Sequence, residues 1–257
     1  MLAVERKNRI LSILQTEKKV VVGELSKMFS VSEETIRRDL EKLEKEGLIV
    51  KAYGGAVLNE NAQNDMPLAV RKRTNVVGKQ KIAEIVAGMI EDGASVMLDC
   101  SSTAYFIAKK LKERRNMTII TNSIEILIEL KDQKTWKIFC TGGLLGEESL
   151  ALVGNHADTM ISSVHSDFSV ISCKGFDIDR GITDSNDLHA FTKRTMIGHC
   201  DKRILAVDSS KFNRIAFNVV GKFTDVDAIV TDVKPPEDWL ERFKEEGVRC
   251  LYPEEIR

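Results

Sequence analysis

Apolar residues recur at helical spacing in three successive stretches at the front of the chain. Residues 4–15 carry Ile10, Leu11 and Leu14, residues 22–29 carry Val22, Leu25 and Phe29, and residues 32–46 carry Ile36, Leu40 and Leu43. Each set lies on one face of a predicted helix. Ser32 suits an N-cap because its hydroxyl can satisfy a free amide of the first turn, and Gly47 suits a stop. The run Ile49-Val50-Lys51-Ala52-Tyr53-Gly54-Gly55 then reads as a short β-ribbon, with the glycine pair permitting a tight reversal. Residues 59–80 are polar and irregular and read as a linker that becomes helical near its end. Beyond them the pattern changes. Short β-branched strands are predicted at 95–99, 117–121, 136–141, 168–173, 203–208, 228–231 and 248–251. Helices are predicted at 82–91, 103–111, 124–131, 188–199 and 237–246. Helices between such strands imply right-handed βαβ units and a mostly parallel sheet.

The division that follows is 1–57 for the helical unit, 58–80 for the linker and 81–257 for the α/β domain. Net charge does little to alter it. The whole chain of 257 residues carries −1. Residues 1–57 hold 11 Lys and Arg against 9 Asp and Glu, a balance of +2 that leaves −3 for the rest. Any basic surface must therefore come from placement rather than from bulk charge. No apolar run is long enough to span a bilayer, and the opening MLAVERKNRI lacks the apolar stretch of a signal peptide. The cysteines, Cys100, Cys140, Cys173, Cys200 and Cys250, are odd in number and form no C-x-x-C pair, as expected of reduced cytoplasmic thiols. Cys140, in the apolar run Lys137-Ile138-Phe139-Cys140, is expected in the core. His156, His165, His189 and His199 have no metal-ligand spacing, and no metal or cofactor is expected.

A helix-turn-helix needs a second helix seated by the first, with polar residues at its start free to enter the major groove. Ile36, Leu40 and Leu43 would seat the third predicted helix on Leu14, Leu25 and Phe29. Arg38 then points away from that core, with Thr35 and Arg37 on its flanks. Arginine is the commonest specific reader of guanine, through its fork to O6 and N7. The candidate DNA-contacting set is Ser32, Glu33, Thr35, Arg37, Arg38, Lys51 and Tyr53. The plainer reading is a solvated amphipathic helix whose charges pair four apart, Glu34 with Arg38 and Glu41 with Lys45. Three short helices, a tight turn, a cap and a Gly-Gly ribbon together favour DNA binding, with double-stranded operator DNA as partner.

In the α/β part, ligands belong beyond the carboxyl ends of the strands. Asp99, Ser101, Ser102 and Thr103 follow the first strand and open a helix, where free amides suit a phosphate. Thr121 and Asn122 end the next strand, and Gly142 and Gly143 end the third, where glycines let backbone approach a ligand. Lys174 and Lys211 follow later strands, and Asp184 lies in a polar loop at 181–186. Each cluster alone reads as a helix cap or turn. Together they form a candidate anion pocket. The competing class is an isomerase-like enzyme using Asp99, Asp184 and Lys211 as base, acid and electrostatic stabiliser.

The residues Glu5-Arg6-Lys7, Ile10-Leu11, Val31-Ser32-Glu33-Glu34-Thr35-Ile36-Arg37-Arg38-Asp39-Leu40 and Tyr53-Gly54-Gly55-Ala56 resemble those of the deoxyribose-operon-repressor (DeoR) family of bacterial transcription regulators. The resemblance runs to the C-terminus. It implies a winged helix-turn-helix followed by a sensor domain like ribose-5-phosphate isomerases and CoA transferases. It also implies a phosphorylated sugar as effector, a carbohydrate catabolic operon as target, repression and no enzymatic activity. The assembly expected is a homo-oligomer, dimer or tetramer. Thr121-Asn122-Ser123, Gly142-Gly143 and Asp208-Ser209-Ser210-Lys211 match the family's sensor motifs. Asp99-Cys100-Ser101-Ser102-Thr103 departs from the commoner D-S-G-T-T, placing Ser101 where a glycine would leave the backbone open. Ser172-Cys173-Lys174-Gly175-Phe176-Asp177 and Thr183-Asp184-Ser185-Asn186 are most similar to a subgroup that includes rhamnose-operon repressors. That likeness implies a deoxyketose phosphate such as rhamnulose 1-phosphate.

Overall fold

The computed structural model describes residues 2–45, 48–58, 67–146 and 149–255. It separates into two compact units, 1–75 and 76–257. The first opens with α1 (Ala3–Glu17), β1 (Lys19–Val21), α2 (Val22–Phe29) and α3 (Glu33–Lys45). Ser30, at φ 52°, makes the left-handed step of the turn between α2 and α3. The Ser26 hydroxyl closes that turn by donating to the Val31 carbonyl at 2.6 Å. The expected cap is present: the Ser32 hydroxyl accepts from the Thr35 amide at 3.3 Å. The expected stop at Gly47 lies outside the described residues. Strands β2 (Ile49–Ala52) and β3 (Gly55–Leu58) form an antiparallel hairpin, and β1 pairs with the far side of β3. This is a three-helix unit with a wing.

Its core is the one the periodicity predicts. Ile10, Leu14, Leu25, Phe29, Ile36, Leu40 and Leu43 are buried together with Leu48, Ile49 and Ala56. Each large side chain so buried contributes roughly 1.5–3 kcal/mol. The stretch read as linker is partly structured. α4 (Leu68–Arg71) buries Leu68, and Val70 packs against the helical core. α5 (Val76–Met89) starts inside the stretch, which turns helical near its end as expected. Residues 59–66 lie outside the described residues.

The second unit continues with β4 (Ser95–Leu98), α6 (Ser102–Leu111), β5 (Thr118–Thr121), α7 (Ile124–Leu130) and β6 (Lys137–Cys140). A hairpin of β7 (Leu144–Gly146) and β8 (Ala151–Val153) leads to α8 (Asn155–Ser162) and β9 (Ser166–Ile171). Then come β10 (Gly175–Asp177), β11 (Gly181–Asp184), α9 (Asp187–Gly198), β12 (Cys200–Ala206), β13 (Asn218–Gly221), β14 (Ala228–Val230), α10 (Glu237–Glu245) and β15 (Arg249–Leu251). Seven strands form one sheet in the order β15-β14-β12-β9-β4-β5-β6, every neighbouring pair parallel. Both faces are covered, which is why its central strands are apolar on both sides. One core joins the sheet to α5, α6 and α7 through Ile82, Val86, Ile107, Leu111 and Ile126. The other joins it to α8, α9 and α10 through Ile161, Met196, Trp239 and Phe243.

Two sequence expectations fail here. Cys140 is exposed, because β6 is the edge strand of the sheet. The segment read as a polar loop at 181–186 begins as β11, the middle strand of a small antiparallel sheet ordered β10-β11-β13. Its polar residues misled because they are satisfied inside: the Thr183 hydroxyl donates to the Gly175 carbonyl at 3.0 Å and accepts from the Ala216 amide at 2.9 Å.

Candidate functional site

In the first unit, α3 turns Ile36, Leu40 and Leu43 inward, and with them Asp39. Asp39 receives the Arg6 guanidinium at 2.5 Å, with both side chains buried. This pair seats α3 on α1. Sequence reasoning missed it, because an arginine on a polar helix face gives no sign of a partner on another helix. The opposite side of α3 is exposed. Ser32 and Thr35 share a hydrogen bond at 2.9 Å between their hydroxyls. Arg37 pairs with Glu33 at 2.7 Å. Arg38 is 3.7 Å from Glu34, beyond hydrogen-bond distance, and its side chain is 74% exposed. Of the two arginines, Arg38 is the less restrained.

Two residues of the wing behave differently. The Lys51 ammonium lies 3.0 Å from Glu44 and 3.8 Å from Glu41. The hydrogen bond with Glu44 raises the lysine pKa and, reciprocally, holds the Glu44 carboxyl below the usual range. Lys51 therefore ties the wing to α3. Tyr53 stands fully exposed at the hairpin tip. Its two glycines serve separate needs. Gly54 adopts φ 79°, and a Cβ on Gly55 would stand 2.0 Å from the Val20 carbonyl oxygen of β1. A groove runs between α3 and the wing, lined by Arg37, Leu40, Glu41, Lys51, Gly54 and Gly55 among others.

In the second unit, the order of the sheet reverses between β4 and β9. From β4 the chain proceeds outward to β5 and β6, and from β9 to β12, β14 and β15. Such a switch point opens a crevice at the carboxyl ends of the strands. Asp99 lies there, ending β4, and accepts the Ser101 amide at 3.0 Å and the Ser172 amide, beyond β9, at 2.9 Å. Lys193 of α9 reaches the same place, 2.5 Å from Asp184 and 3.4 Å from Asp99. Burial alone would favour its neutral form, but the Asp184 and Asp99 carboxylates outweigh burial and raise its pKa above the ordinary lysine value. Burial likewise pushes Asp184 up, and the Lys193 charge more than reverses that, holding it below the ordinary value.

A second charge group adjoins the first. Asp208 ends β12 and is buried, yet Lys211 and Lys79 overcome burial and hold its carboxyl low. Cys173 lies within the field of Lys193, Asp184, Lys211 and Asp208, and burial drives its thiol to about 12. It is protonated and unreactive at neutral pH. Lys174 acts on Asp184 as well. The structure thus gathers Asp99, Asp184, Lys174 and Lys211, which the sequence proposed, and adds Lys193 and Lys79, which it did not. Both added lysines sit in helices, where a lysine ordinarily faces water.

The remaining proposed residues divide. Ser101 caps α6, accepting the Ala104 amide at 3.0 Å. Ser102 and Thr103 are buried in the first turn of α6. The Thr121 hydroxyl is engaged by the scaffold, donating to Leu98 at 2.7 Å and accepting from the Ser123 amide at 3.1 Å. Asn122 donates its side-chain amide to the Leu152 carbonyl at 3.1 Å, while its buried Oδ1 has no hydrogen-bond partner among the described residues. Gly142, at φ 67°, faces open space. Gly143, at φ 112°, is needed by the backbone itself, since a Cβ there would lie 2.6 Å from the Val153 carbonyl oxygen. Among the described residues, no group of three His, Cys, Asp or Glu side chains has the placement to hold a metal.

Two family models match the chain. The DeoR-like helix-turn-helix domain covers residues 6–62 and the DeoR C terminal sensor domain covers residues 74–233. The chain belongs to the DeoR family. Among curated relatives it is 40% identical to the uncharacterized HTH-type transcriptional regulator YulB of Bacillus subtilis, over 90% of each chain. It is 33% identical to the glycerol-3-phosphate regulon repressor of Escherichia coli, over 92% of this chain and 93% of that one. It is 31% identical to the L-fucose operon activator of Haemophilus influenzae, over 94% and 96%. Among solved structures, a D-ribose-5-phosphate isomerase in complex with phospho-erythronic acid matches 52% of each chain at 16% identity and a TM-score of 0.39.

As a DeoR-family member the protein is a DNA-binding transcriptional regulator and not an enzyme. Asp99 and Asp184, the pair an isomerase reading would use as base and acid, share one cation, Lys193. No described helix is long and apolar enough to cross a membrane.

Proposed function

We propose that the protein represses a carbohydrate catabolic operon in the cytoplasm and is released from its operator by a phosphorylated sugar bound at the β4–β9 switch point. The observation that carries this reading is the lysine-rich charge cluster where Asp99 meets the Ser172 amide and Lys193. Lys174, Lys211 and Lys79 supply positive charge around it, and the first turn of α6 supplies amides suited to a phosphate. The Asn122 Oδ1, which has no partner among the described residues, offers an acceptor for a sugar hydroxyl. On the DNA side, Thr35, Arg37 and Arg38 enter the major groove, with Ser32, Glu33, Lys51 and Tyr53 around them.

A relative named as the glycerol-3-phosphate regulon repressor supports a phosphorylated metabolite as the class of effector. A deoxyketose phosphate such as rhamnulose 1-phosphate is the specific candidate. One relative is an activator, so the sign of control rests on how effector and operator compete in this chain. The effector can shift operator occupancy only by its difference in affinity for the free and DNA-bound states.

A thermal-shift screen of sugar phosphates, followed by operator gel shifts, tests the reading. A cognate effector raises the melting temperature by mass action and weakens operator binding. Lys211→Ala should leave operator affinity unchanged and blunt the effector response. Full induction of Lys211→Ala would remove that lysine from the pocket.

A further inference from the structure

The outer side of α9 and the segment leading into β13 form an apolar surface that no described residue of the second unit covers. Along residues 215–219 the alternation is inverted. Ile215, Phe217 and Val219 are 60%, 92% and 57% exposed, while Ala216 is buried beneath them. α9 packs against β13 and adds Phe191, 51% exposed, with Leu188 beside it. Arg194 joins the two parts: its guanidinium lies 5.6 Å over the Phe191 ring and donates to the Val219 carbonyl. A contiguous exposed patch of large apolar residues marks a contact surface.

Charge selects the partner. Asp187, Phe191 and Arg194 are exposed at helical spacing on one stripe of α9. If two α9 helices cross antiparallel about a two-fold axis at Phe191, Asp187 of each faces Arg194 of the other. An isologous interface requires such self-complementarity. Among the described residues the Asp187 carboxylate has only a local bond, to the Leu188 amide at 2.9 Å, and guanidinium has five donors, enough to keep its present contacts and gain another. A winged helix reading a two-fold operator also calls for a second copy.

We propose that this α9–β13 face is the surface through which two copies of the chain associate. The same helix turns Lys193 toward Asp99 and Asp184, so the interface shares a rigid element with the charge cluster.

Sedimentation equilibrium of the full chain, without DNA or effector, tests the proposal independently of the effector reading. The wild type is expected above the 28.8 kDa monomer mass. The pair Phe191→Glu and Phe217→Glu should weaken association at least tenfold without changing the circular dichroism spectrum. Asp187→Arg and Arg194→Asp should each weaken it, and the two together should restore it. A monomeric wild type, or an unchanged mass for the phenylalanine pair, overturns the proposal. Weakening by each charge reversal with no restoration by both overturns the two-fold pairing.

Discussion

The two functional surfaces hold their charges in opposite ways. On α3 the pairs Arg37–Glu33 and Arg38–Glu34 are at least half exposed. At the sheet's switch point, Lys193 and Asp184 show 7% and 2% of their side chains to solvent. Exposed pairs are weak and exchange partners readily, so a DNA phosphate or guanine can replace a glutamate at little cost. Buried pairs are held by their neighbours, and removing one member leaves the other uncompensated. The first kind suits contact with a large, changing partner, and the second a fixed site for a small one.

The sharpest way to break this contrast is Lys193→Met. It leaves Asp99 and Asp184 without the cation they share, and we expect a loss of about 3–5 kcal/mol in the stability of the second unit near neutral pH. Urea unfolding measures it, and a loss below about 1 kcal/mol would falsify the structural role of the pair. The pH dependence sharpens the point. Asp184 has its folded pKa below its ordinary value of 3.8. Its stabilising contribution is therefore full above that value and is lost as pH falls through the lower folded value. In the variant, a protonated Asp184 needs no cation. The difference between wild type and variant should thus shrink as acid is added.

A somewhat smaller loss, about 3 kcal/mol, is expected for Asp39→Ala, which strands Arg6 in the core of the winged unit. Operator binding should fall with it, because α3 loses its seat. Replacing both partners, Arg6→Met with Asp39→Leu, should recover most of the stability, since a well-packed apolar pair can substitute for a buried ion pair. Failure of the double variant to recover would show that the pair contributes more than charge compensation.

The family motif around Arg38 was legible at once, whereas the role of Asp39 beside it was not. Both are polar residues in a charged helix, and only the packing of α1 tells them apart. The parallel sheet was legible for a simple reason. Strands such as β5 and β14, Thr118–Thr121 and Ala228–Val230, are short β-branched runs flanked by helices. The small sheet of β10, β11 and β13 was hidden because Thr183 and Asp184 are polar yet buried, satisfied by partners on other elements. α8 was hidden by its mixed composition, NHADTMIS. Of the candidate pocket, the strand-end residues could be found from topology alone. Lys193 and Lys79 could not, because helical periodicity does not reveal which lysine has a carboxylate waiting across the sheet.

At the exposed surface, Arg38→Ala should leave unfolding unchanged and weaken cognate operator binding by about 1–3 kcal/mol, with relaxed preference at one base pair. A gel-shift titration against single-base operator variants reads both effects. An equal loss on every sequence would assign Arg38 to phosphate contact instead of base reading.

The smallest effect belongs to Lys51, and it tests the wing. Its ammonium is already held by Glu44 and Glu41, so any contact with a phosphate is made by a lysine whose charge is largely compensated. Lys51→Ala should weaken binding alike on all sequences and lower the salt slope by less than about 1, the change expected for loss of a full phosphate contact. Glu44→Gln sharpens the comparison because it frees the lysine without removing it. That variant should bind more tightly at low salt, with the gain fading as salt rises. If Glu44→Gln instead weakens binding, Lys51 acts by tying the wing to α3 rather than by touching DNA.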